Sequence, residues 1–201
     1  MQKNNNKYAD YVEHPVYGRE PIYSGIEPKL GPKDAFVLMN RCWMRGQIKG
    51  TAVEADYSKQ GKGASYLIKY YFDEEKVCCD CNRPFILFAK EQKRWIEELG
   101  ININVSGDRC QPCRKQHRQG RVNNLRYAEL KAIDDPTTNE LLDMADICLQ
   151  EVEAGRFNRR QLQTAQALLR KASNEPGGSD GDGESLQTRL NQKLKLLLEQ
   201  L

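Results

Sequence analysis

Long apolar segments are absent from this chain of 201 residues. Its longest uninterrupted apolar runs are five residues each, at Ala35–Met39 and Phe85–Ala89. A membrane-spanning helix needs about 20 such residues, so none is predicted. The first residues, Met1–Asn6, also lack the apolar core of a secretory signal. We therefore expect a cytoplasmic protein that does not enter a membrane.

Histidine is nearly absent as well, since only His14 and His117 occur. Neither stands in a pattern with Asp or Asn that would build the metal site of a nuclease, and the sequence shows no other catalytic constellation. His14 is interpreted as structural. His117 follows the last cysteine pair at C-x-x-C-x-x-x-H spacing, but an exposed helix position is the simpler interpretation. We expect no enzymatic activity, no catalytic residue and no small-molecule substrate.

Cysteine, by contrast, is frequent, and the chain has seven. Four of them form two pairs, Cys78-x-x-Cys81 and Cys110-x-x-Cys113, with 28 residues between the pairs. This is the spacing of a tetrahedral four-thiolate zinc site. Because four sulfurs complete the coordination shell, we expect one structural Zn²⁺. A chain without a secretory signal also keeps its cysteines reduced, which favours metal binding over disulfides.

The other three cysteines are Cys42, Cys79 and Cys148. Cys79 lies inside the first pair, and its C-x-C spacing to Cys81 is the tighter one, so Cys78 is preferred as the ligand. Cys148 falls on an apolar helical stripe and is predicted to pack in a core. For the four paired cysteines, the alternatives are reduced core thiols or redox C-x-x-C motifs. A thiol redox switch is accordingly a less favoured function.

Strand patterns flank the first cysteine pair. An aromatic run at 64–72 predicts a strand before it, and the apolar residues at 84–88 predict a second strand after it. Further along, Ile101, Ile103 and Val105 alternate with Asn, which predicts a short strand or an extended return.

Helix patterns follow both pairs. Lys90–Leu99 predicts a helix that ends at Gly100, a residue suited to a left-handed cap. The second pair opens a basic helix that continues to about Lys131, and the positive end of its dipole would face the thiolates. On the first of these helices, Trp95, Ile96 and Leu99 are predicted to share one face.

Two more amphipathic helices predict a helical hairpin. Thr137-x-x-Glu140 is a capping box at the start of the first, which Gly155 ends, and Asn158 is placed to cap the second. A last helix carries leucines at 4-3-4 spacing, which resembles a short coiled-coil seam. The three apolar stripes are Leu141, Leu142, Ala145, Cys148, Leu149 and Val152; Leu162, Ala165, Leu169 and Ala172; and Leu190, Leu194, Leu197 and Leu201.

These patterns predict an α+β protein built from a small four-cysteine treble-clef or zinc-ribbon module, an extended N-terminal arm and a C-terminal α-helical hairpin. The arm is rich in Tyr, Pro and Gly, which excludes regular helix, and its tyrosines predict partial docking. The predicted segments are the arm at 1–33, a connecting segment with a strand at 34–69, the zinc-binding module with its basic helix at 70–131, the helical hairpin at 132–173, a flexible linker at 174–184 and an amphipathic helix at 185–201.

A family resemblance supports the zinc module. Tyr71–Gly100 contains a C-x-x-C pair, then Pro-Phe with further aromatic residues, then a Glu-Gln-Lys-x-Trp helix, and Cys110–Lys115 reads Cys-x-x-Cys-Arg-Lys. With these motifs the chain resembles, over residues 8–120, the bacterial "probable zinc-ribbon domain" proteins of treble-clef type. The resemblance implies zinc binding and names no activity. Ile96 stands where members often carry an aromatic residue, and 101–105 replaces a more proline-rich stretch; neither departure touches a ligand.

Charge changes sign along the second half of the chain. Residues 109–131 have a net charge of +6, residues 132–154 of −7 and residues 155–173 of +5. The basic helix could contact phosphate groups, or the acidic block could balance its charge. The favoured function is a protein–protein adaptor that uses the hairpin and the terminal leucines; the alternative is a nucleic-acid-binding or ribosome-binding protein. The residues for that alternative are Arg114, Lys115, Arg118, Arg121 and Arg126.

Overall fold

The computed structural model describes residues 7–29, 46–61, 67–174 and 181–200. The chain divides into two units: unit 1 is Met1–Lys115 and unit 2 is Gln116–Leu201. No helix in the described ranges is both long and apolar enough to cross a membrane.

Unit 1 contains two small antiparallel ladders. Strand β1 (Val53–Glu54) pairs with β2 (Tyr70–Tyr71), and β3 (Glu74–Val77) pairs with β4 (Pro84–Leu87). Strand β4 agrees with the strand predicted at 84–88. Of the strand predicted at 64–72, the described residues 67–72 form only the two-residue β2, because its partner β1 offers only two residues to pair with. Residues 64–66 lie outside the described residues.

The first helix differs in detail from its prediction. Helix α1 (Ala89–Lys93) continues as a π-helical turn at Arg94–Glu98, and Gly100 follows with φ +62°. The amide of Leu99 donates to the carbonyl of Arg94 at 3.1 Å, an i→i+5 bond that widens the turn. Ile96 is buried and Trp95 half-buried, whereas Leu99 is 58% exposed. The prediction that Leu99 shares a face with Trp95 and Ile96 was wrong because the wider turn rotates Leu99 to the surface.

No strand forms at Ile101–Val105. The amide of Asn104 donates to Oδ1 of Asn102 at 2.8 Å, and the amide of Val105 donates to the Asn102 carbonyl at 3.0 Å. Asn102 therefore folds the segment into a turn, as its short polar side chain favours. Ile103 is buried but Val105 is exposed, so the predicted alternation was wrong.

The N-terminal arm is docked along its described part, residues 7–29. Val12 lies parallel to Phe85 beside β4, and its amide donates to the carbonyl of Pro84 at 2.8 Å. The amide of Ile22 donates to Oδ2 of the buried Asp73 at 2.7 Å. Tyr17 packs against Phe88 with ring centroids 5.2 Å apart. The prediction of partial docking through tyrosines is confirmed for this range.

Unit 2 is helical. Helix α2 (Gln111–Lys131) begins in unit 1 and continues into unit 2, where α3 (Thr138–Glu153), α4 (Gln161–Asn174) and α5 (Gly181–Glu199) follow. The capping box is confirmed: Oγ1 of Thr137 accepts from the amide of Glu140, and the Glu140 carboxylate accepts from the amide of Thr137. The buried core comprises Leu141, Leu142, Ala145, Cys148, Leu149, Leu162, Ala165, Leu169, Ala172, Leu190 and Leu194.

Helix α5 joins that core. Leu190 and Leu194 are buried against α3 and α4, and Leu197 is half-buried there, while Leu201 lies outside the described residues. The helix begins at Gly181, earlier than the predicted 185, and 175–180 are not described. Leu190 and Leu194 therefore stabilise unit 2 and are not available for the docking surface expected of the terminal leucines.

A buried charge pair also holds unit 2. Glu151 is fully buried, and its carboxylate accepts from Nε and Nη2 of Arg156 at 2.5 and 2.7 Å and from Nδ2 of Asn123 at 2.6 Å. A Cβ on Gly120 would stand 2.7 Å from Nε of Arg156. Glycine at this position of α2 therefore leaves the space that the guanidinium occupies.

Candidate metal centre

The first cysteine pair lies in the turn between β3 and β4. The amide of Cys78 donates to the carbonyl of Arg83 at 3.0 Å, and the amide of Asn82 donates to the carbonyl of Cys78 at 2.9 Å. Asn82 has φ +54°, a left-handed conformation that asparagine tolerates better than most residues. This tight turn brings the side chains of Cys78 and Cys81 to the same side.

The second pair lies at the start of α2. The amide of Arg114 donates to the carbonyl of Cys110 at 3.0 Å, so Cys110 stands just before the helix and Cys113 within its first turn. The unpaired amides of a helix N-terminus carry partial positive charge, which favours thiolates at this place.

The four sulfurs converge. The Sγ atoms of Cys78, Cys81, Cys110 and Cys113 all lie within 4.8 Å of one another. Those of Cys81 and Cys110 are 3.8 Å apart. Zn–S bonds of about 2.3 Å in a tetrahedron require S···S separations of about 3.8 Å. The residues present thus fit a tetrahedrally coordinated ion.

Burial and hydrogen bonds act on the thiols in opposite directions. Burial raises the pKa of Cys78, but backbone N–H donors at Cys81, Cys110 and Asp80 outweigh it and lower that pKa to about 6. Burial raises the pKa of Cys110 and of Cys113. The buried cluster therefore resists carrying four negative charges by itself, and a divalent cation would supply the compensating charge.

Contacts beside the sulfurs join the two cysteine loops. Nε of Arg109 donates to Oδ2 of Asp80 at 2.9 Å, and the amide of Cys79 donates to the carbonyl of Asp108 at 3.0 Å. Cys79 is exposed and lies outside the cluster; its Sγ is 3.6 Å from Oδ1 of Asp80.

The arm covers part of the centre. Val12 packs in one apolar cluster with Cys78, Cys110 and Cys113 and leaves Cys81 as the exposed ligand candidate. This contact was not predicted, because a single valine in a Pro- and Tyr-rich segment carries no signal of its partner.

A polar network fixes the arm next to this cluster. Nδ1 of His14 accepts from the amides of Val16 and Tyr17, so Nε2 carries the proton and faces Oε1 of the buried Glu91 at 3.3 Å. The same carboxylate oxygen accepts from Nη2 of Arg114 at 2.6 Å. His14 is therefore structural, as interpreted from the sequence.

Arg114 is fully engaged in unit 1. Its Nη1 donates to the carbonyl of Arg109 at 2.7 Å, and its guanidinium lies 4.6 Å from the ring centroid of Trp95. The assignment of Arg114 to a nucleic-acid surface is therefore corrected: the charge is paired with Glu91 inside unit 1. Sequence reasoning missed Glu91, whose only signal is a carboxylate two residues after an apolar run.

The other predicted basic residues differ among themselves. Arg126 is paired with Asp143 at 2.9 Å and is not a free cation. Lys115, Arg118 and Arg121 are exposed and make no ion pair with any described residue. His117 is exposed on α2 and does not join the cysteines.

Of the two remaining cysteines, the structure describes only Cys148, which is separate from the centre. Cys148 is buried in the core of unit 2, as predicted, and burial raises the pKa of its thiol. Cys42 lies outside the described residues.

Comparison with known proteins agrees with this geometry. Residues 72–122, which include all four clustered cysteines, match a family model described as "Probable treble clef domain". No curated protein and no solved structure matches the chain. The match and the converging sulfurs show a treble-clef, zinc-ribbon-type domain in an α+β chain.

Proposed function

We propose that this chain is a non-enzymatic interaction module whose scaffold is held by one structural Zn²⁺. The observation that carries the proposal is the convergence of four sulfurs within 4.8 Å in a treble-clef segment. Cys78, Cys81, Cys110 and Cys113 would hold the ion. Four thiolates fill a tetrahedral shell, so no coordination position is open to a substrate.

The zinc would organise three elements of unit 1. Its ligands come from the β3–β4 turn and the start of α2, and Val12 of the arm packs on three of them. These elements share little other apolar surface, and a module of this size is rarely stable on its core alone. The role of the ion is therefore to hold the fold of unit 1 together.

Metal analysis of the purified full chain tests this proposal. We expect one zinc per chain, and Cys110→Ser should abolish stoichiometric binding. The matched control is Cys148→Ser, which alters a buried cysteine outside the cluster and should leave the zinc content unchanged. Metal-free protein with an unchanged melting temperature in strong chelator would refute the proposal.

A protein is the favoured partner. The outward face of α2 carries two large apolar side chains, Val122 and Leu125, which are 55% and 67% exposed. Exposed aliphatic residues next to charged ones are typical of protein-binding surfaces and contribute little to phosphate binding. The proposed protein-binding surface is therefore this face of α2, and not the leucines that α5 buries in unit 2.

Nucleic acid is the second candidate, supported by the exposed cations Lys115, Arg118 and Arg121, which make no ion pair with any residue that the structure describes. Titration against mixed RNA and DNA at two salt concentrations tests it. If it holds, affinity falls steeply with salt, and R118A/R121A lowers the salt slope by about 2. Arg170→Ala, an exposed arginine on α4, is the control. Absence of binding at low salt would exclude this candidate.

A further inference from the structure

Four exposed residues of α2 form one stripe. Arg118, Val122, Leu125 and Glu129 follow 4-3-4 spacing, which places them on one helix face. We call them the α2 stripe. The buried residues of this part of the helix (Gly120, Asn123 and Leu130) lie on the opposite face, towards the rest of unit 2. The α2 stripe is therefore an unpartnered face that combines an apolar centre with charged ends.

The two ends of the α2 stripe carry opposite charge. Arg118 makes no ion pair with any described residue, and the side chain of Glu129 is 70% exposed, with one long contact of 3.9 Å from Arg126. Reversing the direction of such a stripe exchanges its positive and negative ends. The stripe is thus complementary in charge to an antiparallel copy of itself.

We propose that two copies of this chain associate through the α2 stripe, with the two helices antiparallel about a two-fold axis. Val122 of each copy would pack against Leu125 of the other, and Arg118 of each would pair with Glu129 of the other. Positions 118 and 129 lie at equal distances from the midpoint between 122 and 125, on opposite sides of it. A single two-fold axis through that midpoint therefore produces all four contacts. Such a self-complementary patch is what an isologous dimer requires.

Other occupants match this face less well. A nucleic acid would repel Glu129 and gain little from Val122 and Leu125, and an acidic peptide would leave Glu129 without a partner of opposite charge. The stripe spans only about three turns, which buries less surface than a permanent dimer needs. The dimer is therefore weak and forms in a concentration-dependent way.

Sedimentation of the nucleic-acid-free full chain over a wide concentration range measures the association. The wild type should pass from monomer to dimer as concentration rises, and Leu125→Glu should remain monomeric. The matched control is Leu196→Glu on α5, since Leu196 is 59% exposed and lies outside the α2 stripe. A wild type that stays monomeric throughout, or a dimer that Leu125→Glu leaves intact, would overturn the proposal.

Charge reversal tests the antiparallel geometry. Arg118→Glu and Glu129→Arg each place like charges opposite one another, so each alone should weaken the dimer by about tenfold or more. An equimolar mixture of the two variants should associate again as a heterodimer, and R118E/E129R should recover the homodimer. A mixture as monomeric as its components would show that the pairing is not antiparallel in this register.

This inference is independent of the zinc proposal. Zinc content and association state are measured on the same samples, so loss of one without the other identifies which proposal fails. A zinc-loaded monomer would refute only the dimer, and a metal-free dimer would refute only the zinc scaffold.

Discussion

The two units of the chain bury apolar surface in different ways. In unit 2, one continuous cluster joins α3, α4 and α5 and contains eleven buried residues. In the described part of unit 1, apolar side chains form three smaller separate clusters, around the cysteines, around Tyr71 and Ile96, and around Ala52. Its strands are only two to four residues long. Unit 2, with a second small cluster at Leu130, Met144 and Ile147, thus concentrates most of its burial in one core, whereas unit 1 divides its burial among smaller ones. We therefore expect unit 1 to depend more on other contacts.

Unit 1 adds specific polar contacts and the four-cysteine cluster to its smaller apolar cores. The buried Asp73 accepts amides from Ile22 of the arm and Ala89 of α1, and Glu91 connects His14 with Arg114. Each contact joins segments at least 16 residues apart in sequence. We therefore expect metal loss to destabilise unit 1 much more than unit 2.

Zinc removal has the largest expected effect. Structural zinc contributes about 10–16 kcal/mol of binding free energy in small zinc peptides, and this becomes folding free energy. A strong chelator, or Cys110→Ser, should unfold unit 1 and leave unit 2 folded. Both tryptophans, Trp43 and Trp95, precede Lys115, so tryptophan fluorescence reports unit 1 while ellipticity at 222 nm reports mainly the helices of unit 2. Simultaneous loss of both signals would contradict this prediction, because it would show that zinc removal unfolds both units.

Breaking the buried pair should have the reverse effect. Glu151→Ala leaves Arg156 without its partner and should cost unit 2 about 3–5 kcal/mol, without changing the zinc content. Urea unfolding followed at 222 nm measures the loss. Glu153→Ala removes a more exposed carboxylate, paired with Lys193 at 2.7 Å, and should cost at most about 1 kcal/mol. Equal losses in the two variants would show that Glu151 has no special role.

The same pair predicts a pH dependence. Its hydrogen bonds with Arg156 lower the pKa of Glu151 below the ordinary value of 4.5. The stabilisation is therefore complete above pH 4.5 and is lost as the pH falls through the lowered pKa. Glu151→Gln should show a smaller decline in the stability of unit 2 over this range than the wild type. An unchanged pH profile would show that the ionisation of Glu151 does not contribute to the stability of unit 2.

Two valines of the arm differ in burial and provide a matched test of whether the arm protects the cysteine cluster. Val12 is 8% exposed against the cysteines, whereas Val16 is 73% exposed. Val12→Ala should cost about 1–2 kcal/mol of burial and accelerate zinc transfer to a colorimetric chelator by up to about tenfold. Val16→Ala, the same change in the same arm, should leave the rate unaltered. Equal rates would show that the arm does not protect the site.

The smallest effect is expected at Cys79. It is exposed, lies outside the sulfur cluster and adjoins a ligand candidate on one side. Cys79→Ser should retain one zinc per chain and the wild-type melting temperature, whereas Cys78→Ser should lose both. Zinc loss in Cys79→Ser would mean that the metal selects a different thiolate set.

Local patterns predicted the helical half well. The capping box at Thr137 and the stripes of α3 and α4 lie where the sequence places them, because each depends on residues within one or two turns. The convergence of the two cysteine pairs was likewise predictable, since metal ligands have characteristic spacings. Leu99 and the segment at 101–105 were predicted wrongly, because a π-helical turn and an asparagine turn replaced regular periodicity.

Long-range polar pairing could not be predicted. Nothing near Glu91 in sequence indicates that it joins His14 to Arg114, and nothing near Glu151 indicates that Arg156 and Asn123 satisfy it. A charged side chain looks the same in the sequence whether it faces water or a buried partner. The tertiary structure therefore determines which basic residues are paired with a carboxylate and which are exposed to solvent.

The sequence by itself determined the four thiol groups of the metal centre, the helix boundaries set by caps and glycines, and the alternating blocks of charge. Ligand spacing and capping are short-range geometry, which the order of residues specifies directly. Only the tertiary structure decided that Arg114 is paired, that Leu190 and Leu194 of α5 are buried and that the α2 stripe is exposed. Exposure and pairing depend on what chain packing brings against each side chain, and that packing is a property of the whole fold.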